Sequence, residues 1–250
     1  KRQVVVACGD KSDDAADDVV EESSDTTAAP ATTAAPAQEE SSSAPDGVFK
    51  LAIFQDPATQ NLFKWYDTDT DAYSLYQMTG QSVSLFGISY PNYTLIPSMA
   101  TELIETSTDN GDGTFSYTVP ITEGYEWSDG NPITAEDWVF TYNTAKGLPL
   151  LGQWAAVWPS NCEVECVTNV EAVDAYTVKI SFNYDPGLTG WQYGAALAPA
   201  LSKAYWEQFA TSREDLLAVS GAEAPVASAF VYDKIEQGAF YTWSYDPDTM

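Results

Sequence analysis

The chain contains no histidine in 250 residues, and that absence removes a large part of enzyme chemistry. A Ser-His-Asp or Cys-His relay has no base, and a zinc site loses one of its two commonest ligands. Basic residues are scarce as well: 10 Lys and Arg stand against 37 Asp and Glu, for a net charge of −27. Nucleic-acid binding relies on Lys and Arg to displace counterions, so no nucleic-acid partner is expected, and an anionic lipid surface would repel the chain. The acidity is spread out. Residues 1–46 carry 11 acids and 3 bases, and the remainder 26 and 7; this describes a solvated acidic surface and does not locate a cation site. No run approaches the roughly 20 consecutive apolar residues that a spanning helix needs. Cysteine is limited to three residues.

Composition divides the chain into three parts, expected at residues 1–8, 9–46 and 47–250. Lys1 and Arg2 precede a short apolar stretch, and Val5-Val6-Ala7 leads to Cys8. This resembles the end of a signal peptide with a bacterial lipobox, clipped at its N-terminus, in which Cys8 becomes the lipidated first residue. Two acyl chains on Cys8 would anchor the protein stably where one gives marginal binding; the alternative is an incidental thiol. From Gly9 to Asp46 the sequence is Asp, Glu, Ser, Thr, Ala and Pro with almost no large apolar residue. Such a segment cannot bury enough surface to offset its ordering entropy, and as a flexible tether it would span about 35 Å. Cys162 and Cys166, with three residues between them, read as a local disulfide in an exported protein, with free thiols as the other reading. Zinc is not expected there.

The most informative stretch is Tyr125 to Ala145, YEWSDGNPITAEDWVFTYNTA. Ser128-Asp129-Gly130-Asn131 supplies turn chemistry, and Pro132 bars continuation of a central strand. Thr134 with Asp137 forms a capping box at the head of an apolar run in which Trp138, Val139, Tyr142 and Ala145 recur at helical spacing. Upstream, Glu102 to Ile121 reads as two strands joined by Asp109-Asn110-Gly111-Asp112-Gly113. Further elements are a strand at Val48 to Phe54, a short helix at Ala72 to Thr79, two strands about a turn at Asp174-Ala175, and a helix starting at Ser202.

With its upstream residues, this stretch resembles the signature of the peptide-binding class of ABC-transporter solute-binding proteins, the oligopeptide/dipeptide/nickel group. Pro97, Ala100, Gly124, Trp127, Asp129, Gly130, Pro132, Thr134, Ala135, Asp137 and Val139 match; Met99 replaces the usual Leu, and Trp138 precedes Val139. Leu51, Ile53, Asp56, Pro57, Asn61 and Leu62 match the family's opening, so the resemblance covers about Gly47 to Met250. It implies a mixed α/β, periplasmic-binding-protein-like fold of two lobes, of which this chain holds an incomplete first lobe. It also implies capture of peptides or similar solutes and delivery to an ABC permease and ATPase, by a monomer at the outer face of the cytoplasmic membrane or in the periplasm. Neither enzyme activity nor a cofactor is implied.

Candidate ligand-facing residues are Gln55, Asp56 and Asn61 after the first strand, Tyr73 and Tyr76 on the first helix, and Trp154, Trp158 and Trp191, which fall in irregular segments. A tryptophan or tyrosine offers a flat apolar face with a polar edge, suited to a cleft wall and equally to a core. Trp127 and Trp138 are expected in the core. Asp67 to Asp71 resembles the start of an EF-hand loop, but Ala72 stands where Gly is required and Met78 where Glu is required, so a capping or solvated loop is the reading. Carboxylate pairs suited to glycoside hydrolysis carry no specificity among 37 acids. A second functional class, a secreted carbohydrate-binding or adhesion module on a stalk, is compatible with the Trp content and the tether.

Overall fold

Strict alternation builds the sheet at the centre of the molecule. In the strand Thr177–Phe182 every second residue, Val178, Ile180 and Phe182, is fully buried, because successive side chains of a strand point to opposite faces. The computed structural model describes residues 3–8, 49–78, 80–158, 166–236 and 238–245. The tether expected at residues 9–46 and the residue Cys162 lie outside these.

Ten strands occur among the described residues: β1 Gln3–Cys8, β2 Phe49–Ile53, β3 Phe86–Ile88, β4 Leu95–Pro97, β5 Thr108–Asp109, β6 Phe115–Pro120, β7 Val167–Asp174, β8 Thr177–Phe182, β9 Phe230–Glu236 and β10 Phe240–Tyr245. They form an antiparallel sheet in the order β5-β6-β8-β7, a β3-β4 pair, and a mixed sheet in the order β2-β1-β10-β9. The α-helices are α1 Leu62–Lys64, α2 Ser74–Gln77, α3 Ala135–Gly147, α4 Trp154–Val157, α5 Lys203–Trp206 and α6 Arg213–Ala218. This is the mixed α/β architecture expected from the sequence.

The predicted capped helix is α3, with Thr134 as its N-cap and the box closed. Its Asp137 carboxylate accepts the Thr134 N–H at 2.9 Å. Gly130 takes φ +82° in the preceding turn, a conformation open to glycine at little cost. The face carrying Ala135, Trp138, Tyr142 and Ala145 is buried, and α3 lies against β7.

The predicted hairpin before it is shorter than expected. β5 keeps only Thr108 and Asp109, paired with Ser116 and Phe115, and β6 instead runs its whole length against β8. The stretch before β5 is used otherwise: the Ile104 carbonyl accepts Trp191 Nε1–H at 2.9 Å. The helix read at Ala72 to Thr79 shortens to α2, capped by Asp71, whose carboxylate accepts the N–H groups of Tyr73 and Ser74 at 3.0 and 2.8 Å.

One large aromatic and aliphatic core unites α1, α3, α4, α5 and the central sheet. Tyr117 and Trp191 stack at 3.7 Å, 8° from parallel. A second, small cluster of Ile53, Tyr241 and Trp243, with Tyr73 and Tyr232 against it, lies under the mixed sheet. Polar ties cross the core. Asn61, fully buried, accepts Lys64 N–H at 3.1 Å and donates from Nδ2 to the carbonyls of Leu216 and Val219 at 2.8 and 2.9 Å. The buried Asp67 carboxylate pairs with Arg213 and accepts Leu151 N–H. Both ties clamp the chain around α1 to α6, which lies some 150 residues later in sequence.

Two outcomes follow from this packing. Asn61→Ala removes the cap on Lys64 and leaves two carbonyls without their donor, so urea unfolding should show a loss of about 3 kcal/mol with unchanged slope. The Tyr117 phenol is pushed up to about 12 by burial and by the charge of Asp185. Its folded value lies above the unfolded value near 10, so its contribution is complete below pH 10 and disappears as pH rises through 12, a loss on the order of 2 kcal/mol. In Tyr117→Phe this component of alkaline destabilisation should be missing from unfolding curves taken between those pH values.

Candidate functional site

The end of β2 is where polar and apolar groups meet solvent together. Phe54 follows the strand with 88% of its surface exposed, and Gln55 beside it is exposed too. A chain cannot bury every aromatic, and a single exposed one is common on protein surfaces. Asp56 is half-buried and its Oδ2 accepts Gly238 N–H at 2.9 Å, which ties this loop to the β9-β10 turn. The next residues are held from the other side: the Ser74 hydroxyl accepts Ala58 and Thr59 N–H at 2.9 and 3.1 Å and itself donates to Asp71 at 2.5 Å. The loop between β2 and α1 therefore has a fixed shape although it runs over the surface.

A cavity of about 320 Å³ opens under this loop, lined by residues 57–60, Lys64, Gln77 and residues 217–220. Gln77 is 2% exposed. Its Nε2 is buried and has no hydrogen-bond partner, whereas the Gln60 side chain is hydrogen-bonded to Tyr232. Lys64 adds positive charge at the rim, 3.2 Å from Asp69. In a chain of net charge −27 this is a locally donor-rich place. It suits a group that offers oxygen acceptors, such as a peptide carbonyl, a carboxylate or a sugar hydroxyl.

The residues singled out from the sequence separate in space. Gln55 and Asp56 lie at the end of β2, and Tyr73 and Tyr76 on and beside α2 join the same region. Tyr76 is 43% exposed, with its ring 6.4 Å from that of Tyr73; Tyr73 packs on the cluster of Ile53, Tyr241 and Trp243. Asn61 is a buried tie with all its described hydrogen bonds directed into the protein. The structure places Trp154, Trp158 and Trp191 in the core, each 1% exposed. Trp154 stacks on Phe63 and donates to the Phe63 carbonyl at 3.0 Å, Trp158 meets Tyr142 edge-on, and Trp191 stacks on Tyr117. Their ring faces are committed to packing. Trp127 and Trp138 are buried as expected.

Cys8 ends β1, and Cys166 is disulfide-bonded. No group of three or more metal-type ligands occurs among the described residues, and Asp67 and Asp71 of the EF-hand-like stretch serve as a buried ion pair and a helix cap. Lys64, Gln60 and Gln77 went unnoticed in the sequence. Gln77 sits in a short helix among aromatic residues, and only packing decides that its amide is buried beside a cavity.

No curated protein sequence matches this chain. Solved structures do. A periplasmic oligopeptide-binding protein of an oligopeptide ABC transporter from Thermotoga maritima, with mannohexaose bound, superposes with TM-score 0.59 at 22% identity, covering 79% of this chain and 32% of that one. The oligopeptide-binding protein AppA from Bacillus subtilis, in complex with a nonapeptide, gives 0.54 at 19% identity, with 78% and 35% covered. NikZ from Campylobacter jejuni, in complex with Ni(L-His), gives 0.53 at 19%, with 77% and 34% covered. The chain thus spans about a third of the length of these structures and shares the fold of that third. Residues 94–243 match the family model described as bacterial extracellular solute-binding proteins, family 5 middle. That stretch is more than half of the chain and contains the turn and capped helix at Trp127 to Ala145; the chain belongs to the bacterial extracellular solute-binding proteins of family 5.

Proposed function

We propose that this chain forms part of the first lobe of an extracytoplasmic solute-binding protein that captures peptides or similar small solutes and hands them to an ABC permease and its ATPase. The observation that carries the reading is the surface at the end of β2: an exposed Phe54 and Gln55 beside a cavity lined in part by Gln77, whose buried amide nitrogen has no partner. An extended peptide offers oxygen acceptors at regular intervals for the donors and apolar side chains between them for Phe54. Closure of a second lobe would add contacts made only in the closed state, and those contacts drive closure. Gln55, Asp56, Tyr73 and Tyr76 would face the solute, with Asn61 holding the loop that carries them. Capture of this kind needs no cofactor and no catalytic group, and a monomer suffices.

In this reading residues 1–8 are the end of a signal peptide, residues 9–46 the tether, and residues 47–250 the binding part. Lipidation at Cys8 has a structural consequence. Gln3, Val4, Val5, Val6 and Ala7 pair with β10 and the strand continues in parallel with β2. Cleavage before Cys8 removes those five residues, so strand β1 and a lipid anchor are alternative fates of one segment. The Cys162–Cys166 bridge is likewise part of the proposal.

Two measurements test it. Titration of the protein joined to its second lobe with a peptide library, followed by tryptophan fluorescence, should reveal saturable binding, weakened about tenfold by Gln77→Met, which removes a buried donor to the solute. Absence of binding to peptides, oligosaccharides and nickel complexes alike would sink the reading. Mass spectrometry of the protein isolated from membranes should find Cys8 as a diacylated N-terminal residue; a product that retains Gln3 to Ala7 would refute the anchor and leave β1 in place.

A further inference from the structure

Charge is missing from one part of this acidic protein. Residues 72–101 and 186–202 contain no Asp, Glu, Lys or Arg, in a chain where 19% of residues are charged and the net charge is −27. The two stretches are far apart in sequence and meet in the fold. Val83 and Ala200 exchange backbone hydrogen bonds at 3.0 and 2.7 Å, and Phe86 of β3 meets Trp191 edge-on at 5.9 Å. Those two rings are buried, but the surface beside them is aromatic as well.

Tyr90 and Tyr93 stand in the connection between β3 and β4, and Tyr193 directly follows the helical turn Leu188–Gln192. They are 85%, 57% and 52% exposed. The Tyr90 and Tyr93 rings meet edge-on, 6.0 Å apart. The Tyr193 hydroxyl donates to the Tyr93 carbonyl at 3.0 Å, and Gln192 Nε2 donates to the same oxygen at 3.1 Å. Tyr93 adopts φ +55°, a conformation rare for a bulky residue. The two donors on its carbonyl, with its own N–H given to the Ser89 carbonyl at 2.8 Å, hold it there. Ile96 of β4 and Leu188 are exposed too.

Single exposed aromatics are ordinary, whereas three joined on a rigid, charge-free surface mark a contact face. Loss of charge with gain of tyrosine is the composition of the core of protein–protein interfaces. Charge also selects the partner. A twofold interface sets one patch against its own copy, so an acidic patch repels itself, and a large net charge ordinarily keeps copies apart. This face escapes that repulsion, while a partner rich in Lys and Arg would be drawn to the acidic parts of the surface instead. We infer that it packs against the same face of a second copy, with Tyr90, Tyr93 and Tyr193 of each at the contact. None of the three lines the cavity under the loop after β2, so each copy keeps that surface free.

The test is the oligomeric state of the protein joined to its second lobe. Sedimentation velocity from about 1 to 200 µM should show a monomer–dimer equilibrium with a dissociation constant on the order of 10 µM. Raising salt from about 0.05 to 0.5 M should tighten it, because salt screens repulsion between the acidic remainders. Tyr90→Glu and Tyr193→Glu each set a charge against its twin, and each should weaken pairing at least about tenfold. Val173→Glu, which adds the same charge at an exposed position on β7, should leave pairing unchanged. A monomer at every concentration overturns the proposal. So does pairing that survives both tyrosine variants, that Val173→Glu weakens equally, or that salt dissolves.

Discussion

One buried carboxylate organises the centre of the molecule. Asp137 is 4% exposed, and burial pushes its carboxyl above the usual range while the N–H groups of Lys203 and Thr134 pull it back. A carboxylate taken from water must find donors for its oxygens, because unpaired it would neutralise or destabilise the fold. Oδ2 takes Thr134 N–H at the start of α3, and Oδ1 takes Lys203 N–H, 2.8 Å away, at the start of α5. The same side chain thus begins two helices. The Thr141 hydroxyl, one turn later, donates to the Asp137 carbonyl and accepts Leu201 N–H, so the approach to α5 is fixed at two points.

From that anchor the remaining polar ties follow a common logic. Asn61, Asp67 and Gln81 are each buried, and each joins residues around α1 and α2 to the segment from Leu151 to Gly221 by hydrogen bonds to backbone groups. Ties of this kind fix position where apolar contact alone would let elements slide. They hold the loop after β2 over its cavity and tie down the segment after α6.

The local code of the fold was readable. Thr134 and Asp137 announced the helix they begin, Ser202 announced α5, Asp174 the turn between β7 and β8, and the turn at Ser128 to Asn131 adopts the positive φ that Gly130 permits. Each of these is a contact between residues close in sequence. The strand expected at Glu102 to Ser107 fails for the opposite reason: alternation favours it, but β6 finds a longer partner in β8 and Trp191 claims the Ile104 carbonyl. Among the candidate ligand residues, Gln55, Asp56, Tyr73 and Tyr76 come together because they flank β2 and α2. Trp154, Trp158 and Trp191 looked alike in the sequence, lying in aperiodic segments, and no local signal distinguishes an aromatic wall from an aromatic core.

By itself the sequence determined the family, the secondary-structure caps, the acidity and the exclusion of histidine chemistry, since these depend on residue identity and short-range hydrogen bonds. Tertiary structure alone decided which polar groups would be buried and left unpaired. Gln77 and Gln81 are both buried glutamines a few residues apart, yet in one the amide nitrogen is left without a partner and in the other the oxygen. The difference is that the Gly221 carbonyl, 140 residues away in the chain, accepts a Gln81 amide N–H and so fixes which way that amide points, and partners at that separation are set only when the chain has closed.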